Sequence, residues 1–452
     1  MKIVIVGGGK VGESLCQELS SEHNDILVIE KKAQTLDKLI NKFDISGIVG
    51  NGASVETQEE IGVSQADVFI AVTEMDEINI IAAVLARKLG ATHTIARVRN
   101  PEYSSQLHFV RESLGISLLV NPELTAAQDI ARVLKYQSAV SVEAFAGNRV
   151  NLVEVEVTKQ SILTQMSMKD FRQKFGTLLV CVIHRGDTII IPSGEDVIQE
   201  NDRIHVTGSA EDLGRFFKHV GKEDKKIKST FIVGGGRLAY YLLKMLRESR
   251  IQTRVIERDE DRALFLSEEF PNMEIIHADG TDQDILDEQQ VESFDSFISL
   301  TGVDEENLIM SMYARHKGVK KVITKMSRVS MLKLLDNVPI RSIITPKQLV
   351  TNQIIQFVRA LENAQGSNVE ALYRLVDNQV EALQFRVKRG SKVCGIPLFQ
   401  LKTKANLLIA YIIRDKQLIF PNGNDALEAH DRVIVVTKNK SFTDLDDILE
   451  VE

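Results

Sequence analysis

The chain repeats itself, and this duplication limits its possible folds more than any other feature. The segment KIVIVGGGKVG (Lys2–Gly12) returns as TFIVGGGRLA (Thr230–Ala239) at an offset of 227 positions. A second kind of segment repeats as well, because Leu178–Val206 matches Leu407–Val435 at an offset of 229. Chance matches do not keep their spacing over such a distance, so the 452 residues contain two related halves.

Each half has a larger and a smaller part. Short apolar runs alternate with stretches of helical period in the larger part, which predicts a parallel sheet covered by helices on both faces. Short alternating strands follow in the smaller part. We therefore predict an α/β fold of two Rossmann-like, doubly wound domains, each followed by a small α+β lobe. The predicted boundaries are 1–121 and 122–220 for the first half, 221–229 for a charged linker, and 230–345 and 346–452 for the second half.

The first apolar run ends in a glycine-rich turn. Its residues, Gly7, Gly8, Gly9, Lys10, Val11 and Gly12, form Gly-x-Gly-x-x-Gly between a predicted strand and a predicted helix. Glycines there permit a tight turn and a close approach to a pyrophosphate, which lies at the helix N-terminus. Glu30 ends the next strand, where an acid binds ribose hydroxyls and disfavours a 2′-phosphate. This context predicts a dinucleotide site. The alternative is a glycine-rich turn that only packs the helix on the strand and binds no ligand.

The second half carries an altered copy of this turn. Its residues are Gly234, Gly235, Gly236, Arg237 and Leu238, followed by Ala239 in place of the last glycine. Glu257 takes the acid position, so binding is expected here too. Further candidates follow later strands, at the edge where doubly wound sheets bind ligands: Gly50–Ser54, Thr73–Glu74, Ala278–Thr281 and Thr301–Gly302. Ordinary turns and helix caps are an equal alternative for these.

Several function classes lack support. The formal charge of −8 disfavours non-specific nucleic-acid binding, and three separated cysteines make neither a disulfide framework nor a zinc site. No Cys-x-x-Cys, His-Glu-x-x-His or Gly-x-Ser-x-Gly occurs, so we predict no catalytic residue and no enzyme. No metal site is predicted, although a cation site is an alternative interpretation of the acids at 76–77 and 304–306. No apolar run reaches the ~20 residues that span a bilayer. A cytoplasmic chain is expected.

The motifs resemble those of a known family. MKIVIVGGGKVG, VIEKK, GNGAS, AVTEMDEINIIAAVLARKLGA and IARVRNPEY occur in order, followed by a small unit, and the arrangement repeats once. This pattern is similar to the TrkA family, the cytosolic regulatory subunits of bacterial potassium uptake systems, which are built from tandem RCK domains (regulators of potassium conductance). The resemblance covers essentially the whole chain.

The resemblance implies NAD(H) binding, and often ATP or ADP binding, at both glycine turns. Arg97 would reach ligand phosphates in the first half, and Lys325 stands in its place in the second. Lysine keeps the charge but loses the bidentate geometry of arginine. The implied first site contains Gly7, Gly8, Gly9, Lys10, Val11, Gly12, Glu30, Asn51, Gly52, Thr73, Glu74 and Arg97. The implied second site contains Gly234, Gly235, Gly236, Arg237, Leu238, Glu257, Asp279, Thr301 and Lys325.

The family also implies partners. Its members assemble as a ring, commonly of four chains, beneath a membrane pore of the TrkH or TrkG type, which would make this chain peripheral on the inner face of the membrane. Nucleotide binding would then gate potassium uptake. Two alternatives remain: an NAD-dependent oxidoreductase, and a nucleotide sensor for another partner.

Overall fold

The structure is a computed structural model, and it divides into two compact units that each take one segment from each half of the chain. Unit 1 comprises Met1–Ala131 and Ile227–Val358, and unit 2 comprises Arg132–Lys226 and Arg359–Glu452. The structure describes all residues except 21–23, 105–110, 112, 136–141, 146–149, 221–226, 329–341, 365–368, 376–378, 416, 440–441, 443 and 451–452. The predicted linker at 221–229 therefore lies outside the described residues up to position 226.

The first sheet of unit 1 is parallel throughout, with strand order β3-β2-β1-β4-β5-β6. The order reverses between β1 and β4, which opens a crevice at their carboxyl ends. The strands are β1 (Lys2–Val6), β2 (Asp25–Glu30), β3 (Ser46–Val49), β4 (Val68–Ala71), β5 (His93–Arg97) and β6 (Leu118–Val120). The helices are α1 (Lys10–Ser20), α2 (Ala33–Lys42), α3 (Val55–Glu60), α4 (Asp76–Leu89), α5 (Pro101–Ser104) and α6 (Pro122–Val133).

Continuous apolar runs form the central strands because both faces of the sheet are covered. Ile3, Val4 and Ile5 in β1 are fully buried, and every residue of β4 is buried. Such continuous apolar runs are typical of parallel strands beneath helices on both sides. This packing fixes β1 and β4, the two strands that border the crevice.

A small antiparallel sheet follows in unit 2, with strand order β10-β9-β11-β8-β7. The strands are β7 (Val142–Phe145), β8 (Val150–Glu156), β9 (Leu179–Arg185), β10 (Thr188–Ile190) and β11 (Arg203–Gly208). Two helices accompany the sheet, α7 (Met168–Phe175) and α8 (Ala210–His219). The side chain of Ser167 caps α7 by accepting from the Asp170 N–H, and Ser209 caps α8 in the same way.

The second half repeats both sheets. The parallel one has the order β14-β13-β12-β15-β16-β17, and the antiparallel one β18-β19-β22-β20-β21. The parallel strands are β12 (Ser229–Val233), β13 (Gln252–Glu257), β14 (Glu274–His277), β15 (Ser296–Ser299), β16 (Lys321–Lys325) and β17 (Ser342–Ile344). The helices are α9 (Arg237–Leu246), α10 (Glu260–Glu269), α11 (Gln283–Glu288), α12 (Asp304–His316) and α13 (Pro346–Ala364). The antiparallel strands are β18 (Val369–Leu375), β19 (Val380–Arg386), β20 (Leu407–Arg414), β21 (Gln417–Ile419) and β22 (Arg432–Thr437). The predicted fold class is confirmed.

Within unit 2, the two small lobes share one core. Val150 and Val182 of the first lobe join Tyr411 and Ile434 of the second in a single buried apolar cluster. Across the described residues, no helix is long and apolar enough to cross a membrane.

Candidate nucleotide-binding crevices

The first glycine turn passes tightly from β1 into α1. Gly7 has φ +101°, a left-handed conformation, and its N–H donates to the Ile29 carbonyl at 2.9 Å. A Cβ at Gly12 would lie 1.9 Å from the Gly7 carbonyl oxygen, so that position requires glycine in this backbone. Val11 is buried, whereas Gly9 and Lys10 are exposed at the first turn of α1. The turn therefore presents the N-terminal N–H groups of α1 to the crevice.

The predicted acid lies directly against this turn. The Glu30 carboxylate accepts from the Gly8 N–H at 2.6 Å through Oε2, and from the Lys32 N–H at 3.0 Å through Oε1. Both bonds orient the carboxylate at the end of β2, beside the glycines. This is where a dinucleotide site holds the adenosine ribose.

The second half repeats this arrangement closely. Gly234 has φ +100°, and its N–H donates to the Ile256 carbonyl at 2.8 Å. The Glu257 carboxylate accepts from the N–H of Gly235 and, at 2.8 Å, from that of Asp259. Helix α9 begins at Arg237, with Leu238 and Ala239 buried behind it. Both halves thus join a glycine turn to an acid through a backbone hydrogen bond.

Asn79 joins the ends of β4 and β5, although no role was predicted for it. Asn79 of α4 is fully buried, and its Oδ1 accepts from the N–H and hydroxyl of Thr73 at 2.8 and 2.7 Å. Its Nδ2 donates to the carbonyls of Thr73 and Arg97 at 3.1 and 2.9 Å. Asn307 bonds the N–H and carbonyl of Thr301 in the same way. The Asp-x-x-Asn spacing shared by both halves was the available signal.

Arg97 is buried at this edge rather than extended into solvent. Its Nη2 donates to the Thr73 carbonyl, while its Nε has no hydrogen-bond partner among the described residues. Burial, followed by the positive charge of Arg99, lowers the pKa of Arg97 to about 10. Lys325 occupies the equivalent place, donates to the Thr301 carbonyl at 3.0 Å, and has its pKa lowered by burial.

The remaining predicted residues line the turns after the neighbouring strands. Gly52 lies against Val6, since a Cβ there would be 2.1 Å from a Val6 methyl group. Asn51 accepts from the Ala53 N–H at 3.3 Å, and Glu74 is exposed. In the second half, Asp279 accepts from the N–H and hydroxyl of Thr281 at 2.9 and 2.7 Å, and the Thr281 bonds lower its pKa.

Asp76 and Asp304, two of the acids considered for a cation site, accept hydrogen bonds from backbone N–H groups. Asp76 accepts from the N–H groups of Arg99 and Asn100 at 2.8 and 2.7 Å. Asp304 accepts from those of Ser327 and Arg328 at 2.8 and 2.9 Å. Each carboxylate thus holds the segment that follows β5 or β16. In the part of the chain that the structure describes, no group of three or more His, Cys, Asp or Glu could hold a metal ion.

The two halves meet beside the crevices within unit 1. The Tyr241 hydroxyl of α9 donates to the Arg99 carbonyl at 2.9 Å and accepts from the Asn121 amide at 2.9 Å. Glu123, which opens α6, lies 4.0 Å from Arg99, and burial raises the pKa of its carboxyl. Arg237 of the second glycine turn is among the cations that partly oppose this rise. The edge of the first crevice therefore adjoins the helix that begins the second.

Family models match most of the chain. The TrkA-N domain matches residues 3–122 and 230–346, and the TrkA-C domain matches residues 152–221 and 382–450. The chain belongs to the TrkA family. A relative in this family, the Trk system potassium uptake protein TrkA homolog 1 of Methanosarcina mazei, is 30% identical over 454 residues, which cover 99% of each chain.

Solved structures share the fold of this TrkA-family chain. The GsuK RCK domain aligns with a TM-score of 0.63 at 16% identity, over 96% of this chain and 92% of that one. The GsuK channel bound to NAD aligns with a TM-score of 0.63 at 16% identity, over 98% of this chain and 78% of that one. At such identity the likeness shows a common fold.

Proposed function

We propose that this chain is a nucleotide-binding regulatory subunit of a membrane potassium uptake system and has no enzymatic activity. The observation that carries the proposal is the pair of glycine turns, each bonded to a strand-end carboxylate: Gly8 to Glu30, and Gly235 to Glu257. Two further facts support it. The relative from Methanosarcina is named a potassium uptake protein, and one structural neighbour is a channel bound to NAD.

The proposed ligand is NAD(H), and also ATP or ADP. Its phosphates would lie at the first turn of α1 or α9, where free N–H groups favour anions. Space supports this assignment, because a Cβ at Gly9 or Gly236 would meet nothing within 4 Å. Glu30 and Glu257 would accept hydrogen bonds from the adenosine ribose hydroxyls. The other proposed lining residues are Asn51, Gly52, Thr73, Glu74, Arg97, Asp279, Thr301 and Lys325.

The proposed domain organisation is a pair of tandem RCK domains. We assign N-lobes to residues 1–121 and 230–345, a crossing helix with a C-lobe to 122–220 and 346–452, and a linker to 221–229. The matches of the TrkA-N and TrkA-C domains support this division, since they alternate along the chain in the same order.

Self-assembly into a ring, proposed as four chains, is supported by exposed apolar side chains at two corresponding helices. On α4 and just before it, Met75 and Ile81 are 56% and 48% exposed. On α12, Ile309 and Met312 are 61% and 44% exposed. The positions correspond between the halves, since an offset of 228 relates Ile81 to Ile309 and Met75 to the exposed Val303. Repeated exposed apolar surface of this kind is typical of interfaces.

We assign the ring to the cytoplasmic side of the membrane, bound to a pore subunit of the TrkH or TrkG type. Regulation then requires differential affinity: the nucleotide must bind one conformation of the ring better than another, because equal affinity shifts no equilibrium. The hydrogen bonds of Tyr241 to Arg99 and Asn121 join α9 to the segment that follows β5, and we propose that they couple the two crevices.

Binding stoichiometry and transport test this proposal together. Wild-type chain should bind about two nucleotides, and Gly9→Asp about one, because the added carboxylate occupies the phosphate position. Lys88→Ala, an exposed change on α4, is the matched control. In potassium-starved cells lacking the chain, rubidium uptake should be restored by wild type and by Lys88→Ala but less by Gly9→Asp. Unaltered stoichiometry in Gly9→Asp, or substrate-dependent NADH production, would reject the proposal.

A further inference from the structure

Arg262 distinguishes the second crevice from the first. The offset of 227 that relates Gly7 to Gly234 makes Arg262 the counterpart of Thr35. Its Nε donates to the Gly235 carbonyl at 2.7 Å, and its Nη2 lies 3.5 Å from the Gly236 carbonyl. The guanidinium therefore lies on the glycine turn itself.

Aromatic side chains fix this guanidinium in place. Its Cζ lies 4.9 Å from the ring centroid of Phe265 and 6.0 Å from that of Tyr240, and the two rings stack at 6.1 Å. Cation–π contacts of this kind orient an arginine. The first half has no such support, because Lys38 and Glu13 occupy the corresponding positions.

Arg262 and the acid Glu257 share the same glycine turn. Burial lowers the pKa of Arg262, the negative charge of Glu257 opposes this shift, and both side chains contact Gly235. An acid at this position disfavours a phosphate on the adenosine ribose, whereas a nearby arginine accommodates one. The described hydrogen bonds use two of the three guanidinium nitrogens, so the fork retains donors for an anion.

The first crevice has no anchored cation at this position. The Thr35 methyl group would lie 3.0 Å from a Cβ at Gly8, so threonine packs where the guanidinium lies in the second half. Lys31 and Lys32 follow Glu30, but both are exposed. Long exposed lysines lose more conformational entropy on binding a phosphate than a held arginine does.

We propose that Arg262 is the specificity-determining residue of the second crevice, and that it allows this crevice to accept a dinucleotide with a 2′-phosphate, such as NADPH, which the first crevice rejects. The inference rests on the proposed function, because it requires that both crevices bind dinucleotides. The two halves would then report on different nicotinamide pools.

Single-crevice variants test the inference by the ratio of NADPH to NADH affinity. Gly9→Asp leaves the second crevice, and Gly236→Asp leaves the first. In the Gly9→Asp background, Arg262→Thr should lower NADPH affinity about tenfold more than NADH affinity, the scale of one charge-assisted hydrogen bond. In the Gly236→Asp background, Thr35→Arg should raise the ratio by a similar factor.

The outcomes separate this inference from the proposed function. A purely structural role for Arg262 would weaken NADH and NADPH equally, and an unchanged ratio in both exchanges would overturn the specificity assignment while leaving nucleotide binding intact. If the Gly9→Asp chain binds neither dinucleotide although it melts like wild type, the proposed function of the second crevice fails, and the inference fails with it. Arg262→Lys should give an intermediate ratio, because it keeps the charge without the fork.

Discussion

Replacing Asn79 by alanine should destabilise unit 1 and weaken its first crevice. The fully buried amide makes four hydrogen bonds: to the N–H, hydroxyl and carbonyl of Thr73, and to the carbonyl of Arg97. Asn79→Ala removes all of them and leaves the Arg97 carbonyl buried without this donor. An orphaned buried group costs about 1–3 kcal/mol, and each other lost bond about 0.5–1.5 kcal/mol. Since water can satisfy the half-buried Thr73 groups, we expect a loss of about 2–4 kcal/mol in the free energy of unfolding.

Thermal unfolding and nucleotide binding measure this effect. A loss of that size lowers the Tm of a segment as large as unit 1 by about 5–15 °C. Lys88→Ala, on the exposed face of the same helix, should stay within about 0.5 kcal/mol of wild type. In variants that keep only one crevice, Asn79→Ala should reduce NADH affinity at the first crevice and leave the second unchanged. If Asn79→Ala had the same Tm as Lys88→Ala, the stabilising role of the Asn79 amide would be refuted.

Three further sets of substitutions have definite expected outcomes. Gly12→Ala should lower the free energy of unfolding by about 1–3 kcal/mol, because the added Cβ would lie 1.9 Å from the Gly7 carbonyl oxygen. Gly9→Ala should have the Tm of wild type, because its Cβ would meet nothing within 4 Å. Equal Tm values for the two variants would contradict the close approach of Gly12 to Gly7. Burial raises the pKa of the Glu123 carboxyl above its ordinary value of 4.5. The folded chain therefore binds a proton there more readily than the unfolded chain, and stability falls as pH rises from about 4.5 through the raised pKa of the folded chain. Glu123→Gln should therefore match wild type at pH below about 4 and exceed its Tm at pH 8; a lower Tm at pH 8 would reverse the sign. Arg185 donates to the buried Asp202 at 2.9 and 2.8 Å, and Arg414 makes the equivalent pair with Asp431. Arg185→Ala and Arg414→Ala should each lower the free energy of unfolding of unit 2, measured by chemical denaturation, by about 2 kcal/mol.

Local patterns were sufficient to predict the parallel sheets. The uninterrupted β-branched run of β1 matches a strand buried on both faces, and the glycines after it match a turn into a helix. Glu30 could also be predicted locally, because the length of β2 places its last residue beside the glycine turn that follows β1. These inferences need only the chain on either side of each residue.

Contacts between distant segments could not be predicted in this way. Tyr241 and Arg99 are 142 positions apart, and nothing near either residue indicates that they are joined. The burial of Arg97 is a similar case, since its contact with the Thr73 carbonyl depends on the pairing of β4 with β5. Arg262 was also missed, because its direction depends on Tyr240, which belongs to another helix.

Divergence between the halves is concentrated at particular positions around a preserved frame. The frame comprises the carboxylate on the glycine turn and the asparagine between strand ends, and both halves keep it with nearly the same distances. The changes beside the crevices include three that alter charge, Thr35 to Arg262, Asn51 to Asp279 and Glu74 to Gly302, and one that keeps it, Arg97 to Lys325. Stability alone explains the asparagine, because it joins two strand ends, whereas the carboxylate on the glycine turn lies where a dinucleotide site binds the ribose. Retention of the frame with altered charges around it favours two working crevices that bind different ligands.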